Sequence, residues 1–178
     1  MKILIASDLH GSAYYTRLVL QAAEREKADL IALLGDVYNH GPRNPLPRDY
    51  APLEVAEQLN AIRDKLVVVK GNCDSDVDQM ISKFHFVESA VLLEGDKKIY
   101  LTHGHVYNAE HLPAIHCSDV LIYGHEHRVY HKTVEGIHVF NCGSVSLPKD
   151  DNRCYILIAN GEAVIKTLDG QEMERIAL

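Results

Sequence analysis

Five short apolar runs punctuate this chain, and each is closed by a polar motif. Residues 3–6 lead into Ser7-Asp8-Leu9-His10-Gly11, 30–34 into Gly35-Asp36, 66–69 into Gly71-Asn72-Cys73-Asp74, 99–101 into Thr102-His103-Gly104-His105, and 120–123 into Gly124-His125-Glu126-His127. Continuous apolar runs this short read as strands covered on both faces. Between the first three lie residues 16–27, with Leu18, Val19, Ala22 and Ala23 at helical spacing, and residues 53–65, with Val55, Ala56, Leu59 and Ile62 on one face. Strand, helix and strand in succession predict a parallel sheet with right-handed crossovers. The polar motifs then all fall at strand carboxyl ends, the edge where open α/β sheets bind ligands.

The remaining segments fill in the fold. Residues 38–52 contain Pro42, Pro45, Pro47 and Pro52, which excludes regular structure and leaves a long loop directly after Asp36. A loop of that length in a compact domain is usually functional, so it reads as a lid or a substrate-facing loop. Residues 77–83 and 109–117 read as short helices. Glu94-Gly95-Asp96-Lys97, Val134-Glu135-Gly136-Ile137 and Asn160-Gly161 sit between apolar runs, as hairpin turns do. The first half thus alternates strands and helices and the second is strand-rich, which two packed sheets with helices outside would satisfy. The fold class is α/β, and the 178 residues make one domain, 1–178, by the size prior. A chain of this length buries roughly 70% of its unfolded surface and needs no staples.

Charge and cysteine usage narrow the partners. A net charge of -7 argues against nucleic-acid binding, which needs a basic footprint. Bound divalent cations would offset that charge locally, so a phosphate substrate stays open. Cys73, Cys117, Cys142 and Cys154 show no CxxC spacing and read as free thiols in a reducing compartment. The N-terminal apolar run is too short for a signal peptide, and no stretch approaches the ~20 apolar residues that span a bilayer. The expectation is a cytoplasmic protein without membrane contact. Apolar hairpins in the second half could supply a sheet-edge contact, hence a homodimer or higher homo-oligomer.

The motifs carry the chemistry. Asp8 and His10 lie two apart, as do His125 and His127, and on an extended backbone such pairs project to one side and can grip one ion. Asp36 has two oxygens with which to bridge two ions. Asn72 binds through a neutral amide oxygen that tempers the negative charge. Each signal alone is weak, since Gly-Asp and Gly-Asn after a strand are usually ordinary turns. Taken in order, Asp8, His10, Asp36, Asn72, His103, His125 and His127 supply mixed oxygen and nitrogen ligands for two divalent ions. Two adjacent ions suit displacement at phosphorus.

The order Asp-x-His, Gly-Asp, Gly-Asn, His-Gly-His, Gly-His-x-His resembles the calcineurin-like metallophosphoesterase superfamily, from Met1 to about Ser144. The short chain, Gly71-Asn72-Cys73-Asp74 and Gly41-Pro42-Arg43-Asn44 are similar to its small bacterial and archaeal phosphodiesterases of the YfcE type. The resemblance implies a four-layer αββα sandwich, two mixed sheets flanked by helices, with two metals at the sheet crest. Carried over by position, Asp8, His10, Asp36 and His127 would hold one ion, and Asp36, Asn72, His103 and His125 the other, with Asp36 bridging. Fe, Zn2+ and Ni2+ suit such ligands as well as Mn2+, which the resemblance favours. A hydroxide shared by the ions would attack phosphorus in line with the leaving oxygen, giving a phosphodiesterase for a small-molecule diester.

The chain departs from the superfamily at two motifs. Many members carry Gly-Asn-His, whose His protonates the leaving group or stabilises the transition state; this chain has Cys73. A thiol is a poor proton donor in place of an imidazole, so diesters with aryl leaving groups should suffer least. A small residue beside the metals is the plainer account of Cys73. Where the superfamily has Gly-Asp-x-x-Asp-Arg, this chain has Gly35-Asp36-Val37-Tyr38-Asn39-His40. Asn39 is then a candidate hydrogen-bond partner in place of the Asp, and His40 or Arg43 a candidate contact for substrate phosphate. His105 is a candidate supporting or proton-donating residue. Asp74 and Glu126 are candidates for the carboxylate behind a metal-bound imidazole. Cys73, Asp74 and His105 are therefore the catalytic candidates, and Asn39, His40 and Arg43 the substrate-binding ones. Two other functions fit the fold. A phosphomonoesterase or phosphoprotein phosphatase is disfavoured by Cys73, and a non-catalytic protein-interaction scaffold by seven intact ligand positions.

Overall fold

In the computed structural model, which describes residues 1–178, two mixed sheets pack face to face. In the first, β1 (Ile3–Ala6), β2 (Leu30–Leu33), β3 (Leu66–Val69) and β4 (Phe86–Val87) run parallel. β10 (Cys154–Ala159) pairs antiparallel with β1, followed outward by β11 (Glu162–Thr167) and β12 (Glu172–Ala177). The second sheet takes β5 (Ala90–Glu94), β6 (Lys97–Leu101), β7 (Val120–Tyr123), β8 (Val129–Val134) and β9 (Ile137–Cys142) in the order β5-β6-β7-β9-β8. Its three central strands are parallel and its two edges antiparallel.

Strand alternation divides the core in two. Leu4 and Ala6 of β1 pack with Val19 and Ala22 of α1 (Ala13–Glu26) and Val55 and Leu59 of α2 (Pro52–Ala61). Ile3 and Ile5 face the other way, into an inter-sheet layer with Ile99, Leu101, Val120, Ile122 and Phe140. Local signals set the helix ends. Ser12 caps α1 by accepting from Tyr15 N at 3.2 Å, and Lys27 closes it in the left-handed region, φ 54. Pro52 opens α2 at its first turn, where a missing N–H costs nothing. α2 stops at Ala61, short of the expected end at 65, and Arg63–Lys65 continues as a 3-10 turn. α3 (Asp76–Ile81) is the remaining helix.

Two expectations need correction. Residues 109–117 form no helix. The Asn108 side chain accepts from the amides of Glu110 and His111 at 2.9 and 3.0 Å, which turns the chain, and Pro113 offers no N–H. This irregular segment supplies the outer layer over the second sheet, with Ala109, Leu112 and Ile115 against Leu121, Tyr123, Ile137 and Val139. β12 was not foreseen, because its residues are almost all exposed at a sheet edge and lack the apolar alternation that marks a strand.

The two sheets meet at a crest. The carboxyl ends of β1, β2 and β3 lie beside those of β6, β7 and β9. Asp8 N donates to Gly35 O (3.1 Å) and His10 N to Asp36 O (2.8 Å) within the first sheet's edge. His125 N donates across to Asp8 Oδ2 at 3.0 Å, and Val145 N to Ser7 O at 3.2 Å.

Candidate metal centre

All seven residues singled out as ligands converge on this crest. His127 Nε2 lies 3.1 Å from Asp8 Oδ1 and His10 Nε2 3.4 Å from it, while the two imidazole nitrogens are 3.1 Å apart. Asp36 stands next to this group, its Oδ2 3.8 Å from His10 Nε2 and its Oδ1 3.5 Å from His103 Nε2. His103 Nε2 is in turn 3.0 Å from Asn72 Oδ1 and 3.2 Å from His125 Nδ1. Asp36 thus faces both groups of ligands.

The backbone that achieves this is not the extended one that i, i+2 spacing implies. β1 ends at Ala6 and β7 at Tyr123, and Asp8, His10, Asp36, His125 and His127 all adopt left-handed conformations, φ 58, 48, 52, 64 and 61. Side chains two apart converge because each strand is followed by a tight left-handed turn. Asp and His tolerate that region better than most residues, and its concentration at one spot is typical of a functional site. Gly124 and Gly71 make the close approach possible. A Cβ on the first would collide with Ser7 and Asp8, and one on the second with the Asp36 carboxylate.

Three of the four candidate imidazoles are fixed from behind. His10 Nδ1 donates to Asn39 O (2.8 Å), His103 Nδ1 to Leu34 O (2.6 Å) and His127 Nδ1 to Leu147 O (2.7 Å). A carbonyl can only accept, so each of these rings carries its proton on Nδ1 and turns Nε2 inward. The expectation that Asp74 and Glu126 back the histidines is corrected: backbone carbonyls do. Asp74 instead accepts from backbone amides, and Glu126 accepts the hydroxyls of Tyr123 and Tyr130 at 3.2 Å.

The charge balance of the cluster calls for cations. Burial would push the Asp8 carboxyl up, yet the His10 and His127 imidazoles hold it well below the usual range. Burial likewise opposes ionisation of Asp36, and His103 overcomes it. His103 should be pushed down by burial but is lifted to about 9 by the Asp36 and Asp8 carboxylates. Asp8 Oδ1 is buried and makes no hydrogen bond. Asp8, His10 and His127 offer donor atoms within 4.8 Å of one another, and so do Asp8, Asp36 and His103. Two carboxylates, imidazole nitrogens and an amide oxygen suit borderline divalent ions.

A cavity of about 640 Å³ opens above the cluster. Asn39, Arg43 and Cys73 line it with Asp36, Asn72, His125 and His127. His40 does not. It packs edge-on against Tyr50, ring centroids 5.3 Å apart, with Nδ1 buried and unpartnered. Residues 38–51 are irregular, one residue short of the expected 38–52 loop because Pro52 opens α2, and the segment's first turns line the cavity. Cys73 Sγ lies 3.3 Å from Asn72 Nδ2, and burial and the Asp36 carboxylate push its thiol up to about 12. His105 is exposed, its ring centroid 5.4 Å from that of His103 and 6.2 Å from that of His125.

A sixth strand end was missed. At the end of β9, Asn141 Nδ2 donates to Gly124 O at 2.7 Å, and just beyond it the hydroxyls of Ser144 and Ser146 donate to Asp8 O at 2.9 and 2.8 Å. Leu147 supplies the carbonyl behind His127, and Lys149 lines the cavity. The signal was present as Asn141-Cys142-Gly143-Ser144 after an apolar run, but no residue there is a strong metal ligand.

Two sheets meeting at a crest of Asp, Asn and His define a metallophosphoesterase scaffold. The calcineurin-like phosphoesterase superfamily domain matches residues 1–162, and the chain belongs to that family. It is 45% identical to phosphodiesterase YfcE of Escherichia coli K12, over 97% of this chain and 95% of that protein. It is 30% identical to the probable metallophosphoesterase YsnB of Bacillus subtilis, over 98% and 95% of the two chains. The solved structure of the E. coli phosphoesterase YfcE superposes with a TM-score of 0.95 at 41% identity, covering 99% of both chains.

Proposed function

We propose that this chain is a metal-dependent phosphodiesterase whose 178 residues act as one catalytic domain. The observation that carries this reading is the position of Asp36, its carboxylate between His10 Nε2 and His103 Nε2 at 3.8 and 3.5 Å. Asp8, His10, Asp36 and His127 would hold one divalent ion, and Asp36, Asn72, His103 and His125 a second. Such ions supply Lewis acidity at the phosphoryl oxygens and lower the pKa of an attacking water. Mn2+ is the ion we favour. The similarity to a phosphodiesterase, 45% identical over nearly the whole chain, supports a diester as substrate.

The residues divide their tasks by position. Asn39 and Arg43 line the cavity and would bind and orient the phosphoryl group, Arg43 through its fork of donors. His10, His103 and His127 have their Nδ1 protons committed to carbonyls, so they have none to give a leaving group. With His125 taken as a metal ligand, His105, outside the cavity's lining but with its ring 5.4 Å from that of His103, is the imidazole that would donate one. Asp74 touches backbone alone and acts through Asp36.

The reading extends to a cytosolic protein. No helix is long and apolar enough to cross a membrane. Val91 and Leu93, 51% and 65% exposed on the edge strand β5, support a homodimer through that edge.

Turnover of bis(p-nitrophenyl) phosphate, compared with p-nitrophenyl phosphate, in the apo-protein resupplied with Mn2+ tests the proposal. Metal-dependent hydrolysis faster on the diester is expected, abolished by Asp36→Asn and by His125→Ala. Near-normal turnover by both variants would sink it. Absence of activity with any divalent ion would revive the scaffold reading.

A further inference from the structure

The mouth of the cavity says which diesters fit, granted the phosphodiesterase reading above. Beyond the candidate ligands its walls are mostly polar: Cys73 and Pro42 are the apolar exceptions, and no Phe, Tyr or Trp lines it. Apart from those ligands, a nucleobase would find only the Arg43 guanidinium to stack on. Two cations stand at the mouth instead, Arg43 on the segment after β2 and Lys149 on the segment after β9. Both are exposed, and the Lys and Arg side chains that form ion pairs, Arg17, Lys70, Lys166 and Arg175, lie elsewhere.

Each cation is held in register with a ligand of the cluster. Lys149 N donates to His127 O at 2.8 Å, while His127 Nδ1 donates to Leu147 O two residues earlier at 2.7 Å. Asp150, next in sequence, accepts from Val129 N at 2.6 Å, so the turn bearing Lys149 is tied on both sides to the segment that carries His127. On the other segment Asn39 O accepts from His10 Nδ1, and Asn39 Oδ1 and His40 O tie down Gly41 and Asn44, which flank Arg43. These bonds fix the backbone from which each cation projects into the cavity, and charge complementarity at such a site discriminates between substrates.

We infer that Lys149 forms an anion subsite beside the metal centre, next to the phosphoryl-binding Arg43, and that the preferred substrate is a small hydrophilic phosphodiester bearing a second anionic group on the ester arm retained after hydrolysis. A single cation would suffice for the phosphoryl group itself. Arg43 serves that group, and Lys149, on a separate segment of the lining, marks a second negative charge.

The test uses three substrates with one leaving group: ethyl, carboxyethyl and sulfonatoethyl p-nitrophenyl phosphate, with the wild-type chain loaded with Mn2+. Sulfonate is a weak metal ligand, so its effect reports on the subsite and not on chelation. We expect kcat/KM for the sulfonatoethyl and carboxyethyl esters to exceed that for the ethyl ester by about tenfold, shrinking as salt is raised. Lys149→Gln should bring the sulfonatoethyl-to-ethyl ratio below threefold, Lys149→Glu should invert it and Lys149→Arg should keep it. Lys149 is exposed, so none of these substitutions disturbs the core. Equal kcat/KM for all three esters, or a ratio unmoved by Lys149→Gln and Lys149→Glu, overturns the subsite and leaves the phosphodiesterase reading standing. Failure to hydrolyse any of the three overturns both.

Discussion

Asp74 grips the backbone of Asp36. One of its carboxylate oxygens accepts from Asp36 N and Gly71 N, both at 2.8 Å, and the other from Val37 N at 2.8 Å. Asp36 Oδ1 accepts in return from Cys73 N at 2.8 Å. The ends of β2 and β3 are thereby locked together. Asp36 is kept in a left-handed conformation that costs a non-glycine residue roughly 1–2 kcal/mol.

Asp74→Ala would leave three buried amides without an acceptor. At about 1 kcal/mol or more for each lost partner, stability should fall by about 3 kcal/mol. That corresponds to a drop in Tm of about 6–12 °C for a chain of this size. Asp74→Asn keeps one acceptor oxygen and turns an NH2 group toward the amides, so its Tm should fall between the two. Thermal melts followed by circular dichroism on the metal-free protein measure this. A drop under 2 °C for the alanine variant would mean that the clamp contributes little.

The cluster's need for positive charge predicts that metal stabilises the fold. An ion that binds only the folded chain adds about 2.7 kcal/mol at a hundred times its Kd. Mn2+ added to the chelator-treated protein should therefore raise Tm by about 5–11 °C. Asp8→Asn keeps the shape of a buried side chain whose Oδ1 makes no hydrogen bond and removes its charge, so most of that gain should vanish. An unchanged metal-induced shift in the variant would remove Asp8 from the ligand set.

The strands that build the crest were legible because apolar runs and their terminal polar motifs are local signals. Hydrogen bonds such as His125 N to Asp8 Oδ2 join residues 117 apart in sequence, and only the fold reveals them. The left-handed turns at Asp8, His10, Asp36, His125 and His127 were compatible with the residue types but not demanded by them. Asp74 looked like a partner for an imidazole because a carboxylate does that work in many metal sites. Its distance along the chain from Asp36 hid the backbone amides it serves. Lys149 could not be found from its residue type alone, since a lone surface lysine after a strand is ordinary; its placement comes from the turn that backs His127.

Away from the site, Glu26 ties the end of α1 to the first sheet. Its Oε1 accepts from Lys166 Nζ and from Tyr155 OH, both at 2.6 Å. Burial opposes its ionisation, but Lys166 and Tyr155 hold the carboxyl below its ordinary 4.5. A depressed folded pKa stabilises fully above the unfolded value, and the gain is lost as pH falls through the lower, folded one. Glu26→Gln should cost about 1–2 kcal/mol at pH 7, and its deficit against wild type should shrink as pH falls from 7 to below the ordinary 4.5 and through the lower, folded pKa. Urea titrations at the two pH values read this directly, and a deficit that persists in acid would assign the loss to packing.

Cys73 lines the cavity beside Asp36 with its thiol raised by burial, and no contact delivers its proton to a leaving group. With the Nδ1 protons of His10, His103 and His127 held by carbonyls, and His105 outside the cavity's lining, protonation of the leaving group is incomplete and the rate should still depend steeply on the leaving group's pKa. Across aryl diesters of rising leaving-group pKa, kcat/KM should fall along a steep line, and alkyl diesters should be hydrolysed slowest. Cys73→Ala should keep that slope and lie within about threefold of wild type at every leaving group, because it removes a small side chain and no proton donor. His105→Ala should leave good leaving groups nearly untouched and slow the poor ones, steepening the line. A shallow line in the wild type that steepens only in Cys73→Ala would make the thiol the acid, and His105 would then be a bystander at the rim.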